Sequence, residues 1–416
     1  MTLLSILGLI TLGIILLRLF NKLGQSLPVI ELLLAIAGLQ WILGPIISYS
    51  SEVSHYKYYM YVPQETYMSF VVPAFVIFSA VALLWKKEIF TFDEADLSKY
   101  SGYGLKILLF GIAADIAGRF APQSLAFFLF LLSQFKFIGA ALLLFSSSKK
   151  ERLLFYAAIG YLFVTSIYNA LFHDFLLWST FYFMLWALKY KPGVQKKIFI
   201  LLAGLVFVIS LQTAKAALRA EIWNGYEGDK IALFFNVLDQ ELSNTNFDDT
   251  EQEGLNVRLN QGWIISAIMK EVPEEEPFAD GATVKEAVTA SLLPRFLSPN
   301  KKKAGGQENF MKYTGLHLGK NTSMGMSIIG EAYANFGSFG GIFFMLIWGF
   351  FLSVYWNRIK ALSENHPVLI FFIPLLFFQV VKAETELVVV LNHMVKASIV
   401  VALFFWAARK QLKWDI

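Results

Sequence analysis

Met326-Ser-Ile-Ile-Gly-Glu-Ala-Tyr-Ala-Asn-Phe-Gly-Ser-Phe-Gly-Gly-Ile-Phe-Phe-Met345 is the stretch whose reading decides the fold. Before it lie about 110 mainly polar residues, Thr213 to Ser323, holding 16 of the 31 acidic and 12 of the 35 basic residues. After it the chain is apolar. The run therefore reads as the return of one large polar loop into a hydrophobic medium. Its first part, Met326 to Phe339, is weakly apolar and rich in glycine, so it lies at the interface or lines a cavity before the span proper begins.

The chain on either side supports a membrane setting. It is 56% hydrophobic and only 16% charged, with 40 Phe, too greasy for a soluble domain of 416 residues. Its mean hydropathy is +0.56. The reading is an all-α polytopic integral membrane protein. Cysteine is absent, which excludes disulfides, thiolate catalysis and cysteine metal sites. The net charge of +4 is scattered over segment ends and does not indicate nucleic acid. The first apolar run starts at Leu3 with no basic residue before it and no small-residue cleavage site after it, so no cleavable signal is expected.

A bilayer core of about 30 Å takes about 20 apolar residues in a helix. Eleven segments qualify, some of them short: 2–20, 27–48, 67–85, 105–119, 123–146, 153–171, 175–189, 198–213, 326–355, 366–382 and 387–408. The chain divides into N-terminal membrane helices (1–212), the large loop (213–325) and C-terminal membrane helices (326–416). Lys and Arg mark the cytoplasmic side. Arg18 and Lys22, Lys86 and Lys87, Lys149 to Arg152, Lys189 to Lys197, Arg358 and Lys360, and Arg409 to Lys413 fall on alternate ends of the eleven segments without conflict. That alternation puts the N-terminus outside, the C-terminus in the cytoplasm and the large loop outside. Tyr49, Tyr56, Tyr58, Tyr59 and Tyr61 crowd a second outer connection, as an interfacial belt or a sugar-stacking surface.

The large loop contains amphipathic runs, Ile231–Leu242, Leu255–Lys270 and Thr283–Leu293, which predict helices in a folded cap. Pro273 and Pro277 end the second helix. Farther on, Pro294 and Pro299 hold the chain extended around Arg295, and Lys301, Lys302 and Lys303 follow. An arginine with nearby lysines suits a phosphate or pyrophosphate, since a guanidinium binds such oxygens in pairs. The same cluster also suits anchoring to lipid headgroups. Glu331, Tyr333 and Asn335 then descend into the apolar run. An acid at membrane depth is costly, so Glu331 faces a polar cavity or a cation. Gly337 and Gly341 form a small-xxx-small pair for helix packing.

Other polar groups interrupt the apolar segments. Asp115 and Arg119 are four apart and can pair on one helix face. Lys136 sits within the fifth segment. Together with His173, Asp174, Lys382, Glu384, Glu386, His393 and Lys396 they lie mostly toward the outer leaflet and outline a polar cavity under the large loop. Each also fits a buried ion pair between helices. The five histidines show no paired metal spacing.

Many spans, one large outer loop and the Gly330-Glu331-x-Tyr333-x-Asn335-Phe336-Gly337 return resemble the Wzy-type polysaccharide repeat-unit polymerases and their O-antigen ligase relatives. Leu293-Pro294-Arg295 and the Asn256–Trp263 run add to the resemblance. It implies a GT-C-like fold in the bacterial inner membrane, with the loop periplasmic. It implies metal-independent glycosyl transfer without a cofactor, from a glycan on undecaprenyl pyrophosphate to a sugar hydroxyl of the next lipid-linked repeat. A chain-length regulator and a flippase are the partners it implies, beside membrane lipids. His317, the only histidine of the loop, does not match the ligase position, which weighs against ligase activity.

Such a reaction needs charge neutralised on the leaving group and a proton taken from the acceptor. Arg295 and Arg258 are the candidates for the first task, supported by Arg119 and the lysine cluster. Glu331 or His317 is the candidate base, and Tyr333 and Asn335 would contact substrate. The rival readings are an O-antigen ligase-like transferase, a flippase of the same lipid-linked substrate, and a non-enzymatic scaffold of an export system. An outer-face acyltransferase lacks an isolated His–carboxylate constellation.

Overall fold

Ten of the eleven apolar segments fold mainly as α-helix, which satisfies their backbone polar groups internally, and the 366–382 segment folds as a 3-10 turn, a short helix and further turns. The structure is a computed structural model describing residues 2–51, 58–88, 97–243, 259–292, 306–319 and 322–416, and these contain no named β-strand. Eight helices are long and apolar enough to cross a membrane. The remaining three segments correspond to helices Lys149–Asn169 and His173–Tyr190 and the shorter apolar stretch Pro367–Phe377. Only 11% of the Val194–Leu211 window and 22% of the Leu3–Lys22 window are buried. Helices that apolar and that uncovered are stable only in apolar surroundings.

In chain order, α1 (Leu3–Lys22) packs on α2 (Val29–Gly38), which passes through a π turn (Leu39–Leu43) into α3 (Gly44–Ser50). The wide π turn presents the Gln40 carbonyl to the Gln261 N–H at 3.1 Å. Here the polar segment seats on the bundle. A Cβ on Gly262 would lie 2.3 Å from Pro45 Cγ, so only glycine permits that approach. Next come α4 (Gln64–Leu84), α5 (Ser101–Gly118), α6 (Gln123–Ser133) and α7 (Phe135–Leu144). A Cβ on Gly111 would lie 2.0 Å from the Lys136 nitrogen, so α5 and α7 cross backbone to backbone. Then follow α8 (Lys149–Asn169), α9 (His173–Tyr190) and α10 (Val194–Trp223), the last running unbroken past the expected end of the eighth segment.

The polar segment holds α11 (Lys230–Ser243), α12 (Gly262–Glu271) and α13 (Ala282–Leu292), with α14 (Gln307–Thr314) in addition. Helix α12 begins later than the expected Leu255, Asn260 and Gln261 being non-helical and 255–258 lying outside the described residues. Trp263, Ile264 and Ile268 of α12 pack with Phe310, Tyr313 and Met326 into a second apolar core beside the main one. The tyrosines serve this core. Tyr58 packs on Trp263 at a centroid distance of 4.7 Å, and the Tyr61 N–H donates to Ser266 Oγ at 3.0 Å. Tyr56 lies outside the described residues.

The return run forms α15 (Ile328–Asn365), which breaks at Gly337 with φ 64° and ψ −164°. This is where the sequence separates a first part from the span proper. Gly337 thus works through its backbone and not as half of a packing pair, and the Phe278 ring lies against it. Gly341 does serve packing, since a Cβ there would lie 2.8 Å from the Phe70 ring. A 3-10 turn (Pro367–Phe372), α16 (Ile373–Phe377) and α17 (Leu387–Lys410) complete the fold.

At the basic end of α1, Glu31 of α2 is fully buried and takes three cations: Lys86 at 2.5 Å, Lys22 at 2.6 Å and Arg18 at 3.3 Å. Glu88 joins Lys22 and also Arg18. Basic residues that mark orientation in the sequence are therefore also a structural tie between segments.

Candidate functional site

The chain between α16 and α17 is irregular, and it carries the densest polar chemistry of the bundle. The Thr385 N–H donates to the Lys382 carbonyl at 3.0 Å, closing a turn. Glu386 follows as the extended N-cap of α17. Carboxylates are favoured there because they face the unpaired N–H groups of the helix start. The turn lifts Lys382, Glu384 and Glu386 to the wall of a cavity of about 290 Å³. His173, Gln379 and Gly306 also line it. A Cβ on Gly325 would lie 2.6 Å from the Glu384 carbonyl, so that strand of backbone closes directly on the turn.

Glu384 is the acid most open to this cavity. Its Oε2 accepts from Gln40 Nε2 at 3.3 Å, and its Oε1 lies 4.0 Å from His173 Nε2. The His173 side chain is 47% exposed, at the rim of the cavity. Lys382 sits 3.6 Å from Asp174 Oδ1 and over the Phe378 ring. Of the polar groups that the sequence gathers into one cavity, the structure brings His173, Lys382, Glu384 and Glu386 to its walls and Asp174 to Lys382, whereas Asp115, Arg119, Lys136, His393 and Lys396 do not line it. Gln40 is an addition. It enters from the π turn, and its Oε1 is buried without a hydrogen-bond partner among the described residues.

Glu331 lies one layer below, 3% exposed. Its Oε1 accepts from Thr283 Oγ1 at 2.6 Å, and its Oε2 accepts from the Leu387 N–H at 2.8 Å. It thus caps α17 from a different helix and ties α13, α15 and α17 together. Asn335 belongs to the same tie. Its amide donates to Thr283 Oγ1 and to the Glu331 carbonyl, both at 2.7 Å, and its Oδ1 accepts from the Gly281 N–H. Tyr333 packs between Phe70 and Phe278. Three of the residues that carry the family resemblance, Glu331, Tyr333 and Asn335, are therefore held by protein partners, and Glu331 has protein donors on both of its oxygens.

The other predicted residues are dispersed. His317 is exposed. Arg119 is 72% exposed, 4.0 Å from Asp115, whose nearer partner is Lys136 across the helix crossing at 3.1 Å. Arg258, Arg295, Lys301, Lys302 and Lys303 lie outside the described residues. Sequence reasoning missed Gln40, Thr283, Gln379 and Glu31. For Gln40 and Glu31 a signal exists, since each is a lone polar group in an apolar run, which is expensive and so needs a partner.

No curated protein and no solved structure matches the chain. A family model does, over residues 77–412, which span the cavity turn, the Glu331 tie and the whole polar segment. The chain belongs to the DUF8712 family, described as a domain of unknown function.

Proposed function

We propose that the protein is a membrane-embedded glycosyltransferase that extends a polyprenyl-pyrophosphate-linked glycan, as the Wzy-type polymerases it resembles do. The observation that carries this reading is the polar cavity beside the start of α17, with carboxylates, an amide, an imidazole and an ammonium on its walls. Hydroxyl-rich substrates need such mixed acceptors and donors.

In the proposed reaction an acceptor sugar hydroxyl attacks the anomeric carbon of the donor glycan. The new C–O glycosidic bond forms as the C–O bond to the pyrophosphate breaks. Glu384 receives the hydroxyl proton, and Gln40 and His173 orient its carboxylate. Lys382 stands where it can meet charge growing on the departing pyrophosphate. Arg295, Arg258 and Lys301–Lys303 remain candidates for the same task on sequence grounds. Glu384 replaces Glu331 as base because Glu331 is committed to protein donors and walled off from solvent.

The reading includes eleven spans, an outer N-terminus and a cytoplasmic C-terminus in a bacterial inner membrane. Because the chain has no cysteine, single cysteines introduced at Ala279 and Lys413 report sidedness directly. Labelling of Ala279→Cys from outside and Lys413→Cys from inside is expected; labelling of both from one side sinks the topology. For the activity, lipid-linked glycans from a strain lacking the gene decide between classes. Single repeats accumulating outside support polymerisation. Single repeats inside indicate a flippase, and an unchanged ladder indicates a scaffold.

A further inference from the structure

A second cavity, of about 380 Å³, lies among α15, the 3-10 turn, α16 and α17. Its walls include Ile359, Leu362, Leu369, Leu376, Val401 and Phe405, so it is apolar almost throughout. Two cations accompany it. Arg358 lines it and is exposed, and no hydrogen bond or ion pair involves its side chain among the described residues. Arg409 lies near the wall, where its Nη1 is 3.2 Å from Nε2 of His366, another lining residue. A guanidinium only donates, so the imidazole accepts and is neutral. No carboxylate side chain lines the cavity. Near this end Lys360 pairs with Glu364, while among the described residues neither Arg358 nor Arg409 has a carboxylate partner.

An apolar hollow between helices that cross a membrane fills with hydrocarbon, since water there would lack polar partners. Its volume falls in the range of about 300–1,000 Å³ typical of small-ligand sites. Arginine at the rim selects for a phosphate, because its planar fork matches two phosphate oxygens. We propose that this cavity is a binding site for an anionic phospholipid, one acyl chain filling the hollow and the phosphate held by Arg358 and Arg409. The proposal rests on the membrane setting and not on glycosyl transfer, so it survives failure of the activity assigned above.

The test is native mass spectrometry of the delipidated full-length protein in detergent. The probes are phosphatidylglycerol, phosphatidylcholine with the same chains, and glycerol phosphate. Phosphatidylglycerol is expected to bind more tightly than phosphatidylcholine, with glycerol phosphate failing to compete. Arg358→Ala is expected to weaken phosphatidylglycerol roughly fivefold, the usual contribution of one basic residue at a lipid surface. Ala402→Trp, which fills the hollow from an exposed wall position, is expected to abolish it while the melting temperature holds. If that variant fails to fold, the smaller Ala402→Leu is expected to weaken binding in the same direction. Equal binding of the two lipids overturns the proposal. So does competition by glycerol phosphate, which would mark a free-phosphate site, and so does unchanged binding in the filled variants.

Discussion

Glu31 and Glu331 are both nearly inaccessible acids in helices apolar enough to cross a membrane, and the fold treats them differently. Glu31 is surrounded by charge, with Arg18 and Lys22 reaching it from α1 and Lys86 from the chain after α4. Glu331 is surrounded by neutral donors, a threonine hydroxyl and the first N–H of a helix. The first works as an ion cluster, the second as a cap. Each is held by the protein's own groups, whereas Glu384 stands on the wall of a cavity, beside Glu386.

The largest expected effect is at the ion cluster. Glu31→Ala leaves Lys86, 1% exposed at the side chain, without its carboxylate. Removing one partner of a buried pair typically costs about 3–5 kcal/mol. A large fall in melting temperature in detergent, or loss of the protein from the membrane fraction, is expected. A melting temperature within a degree or two of the parent would show that the cluster is not a structural tie.

The cap network comes next. Asn335→Ala strands the Gly281 N–H and removes one of the two hydrogen bonds of Thr283 Oγ1, at roughly 1–3 kcal/mol for a buried group left unpaired. Glu331→Gln keeps the size of the side chain but alters both accepted bonds, and a smaller loss is expected. Gly337→Ala forces a side chain into the left-handed region beside Phe278, about 1–3 kcal/mol of local strain. Thermal melts of the three variants check the order. If Glu331→Gln melts like the parent yet abolishes activity, Glu331 is catalytic and the cap account is wrong.

The smallest effect is predicted for His317→Ala, an exposed position where stability should change by no more than about 0.5 kcal/mol. Polymer yield should also hold. Loss of glycan transfer with an intact melt would favour the ligase alternative.

The helices were legible because apolar length and periodicity are properties of local sequence. Much of the cavity was legible too, since His173, Lys382, Glu384 and Glu386 are costly in an apolar run and so announce themselves. The roles within it were not. Glu331 reads as a base until Thr283 and Leu387, 48 and 56 residues away in the chain, are seen to hold its oxygens. Gln40 enters the site only because a π turn rotates it there, and nothing in Leu39–Leu43 signals that turn. Glu31 was overlooked because its cations, Arg18 and Lys22 on α1 and Lys86 beyond α4, were fully explained as markers of orientation.

The most direct test of the central claim is the lipid-linked glycan profile of a strain lacking the gene and carrying Glu384→Gln at normal membrane abundance. The substitution keeps the side chain's shape and removes its ability to take a proton. Accumulation of single repeats, with a melting temperature like that of the parent, is the predicted result. A full ladder of polymer from the same variant would contradict the assignment of the cavity as the site of transfer.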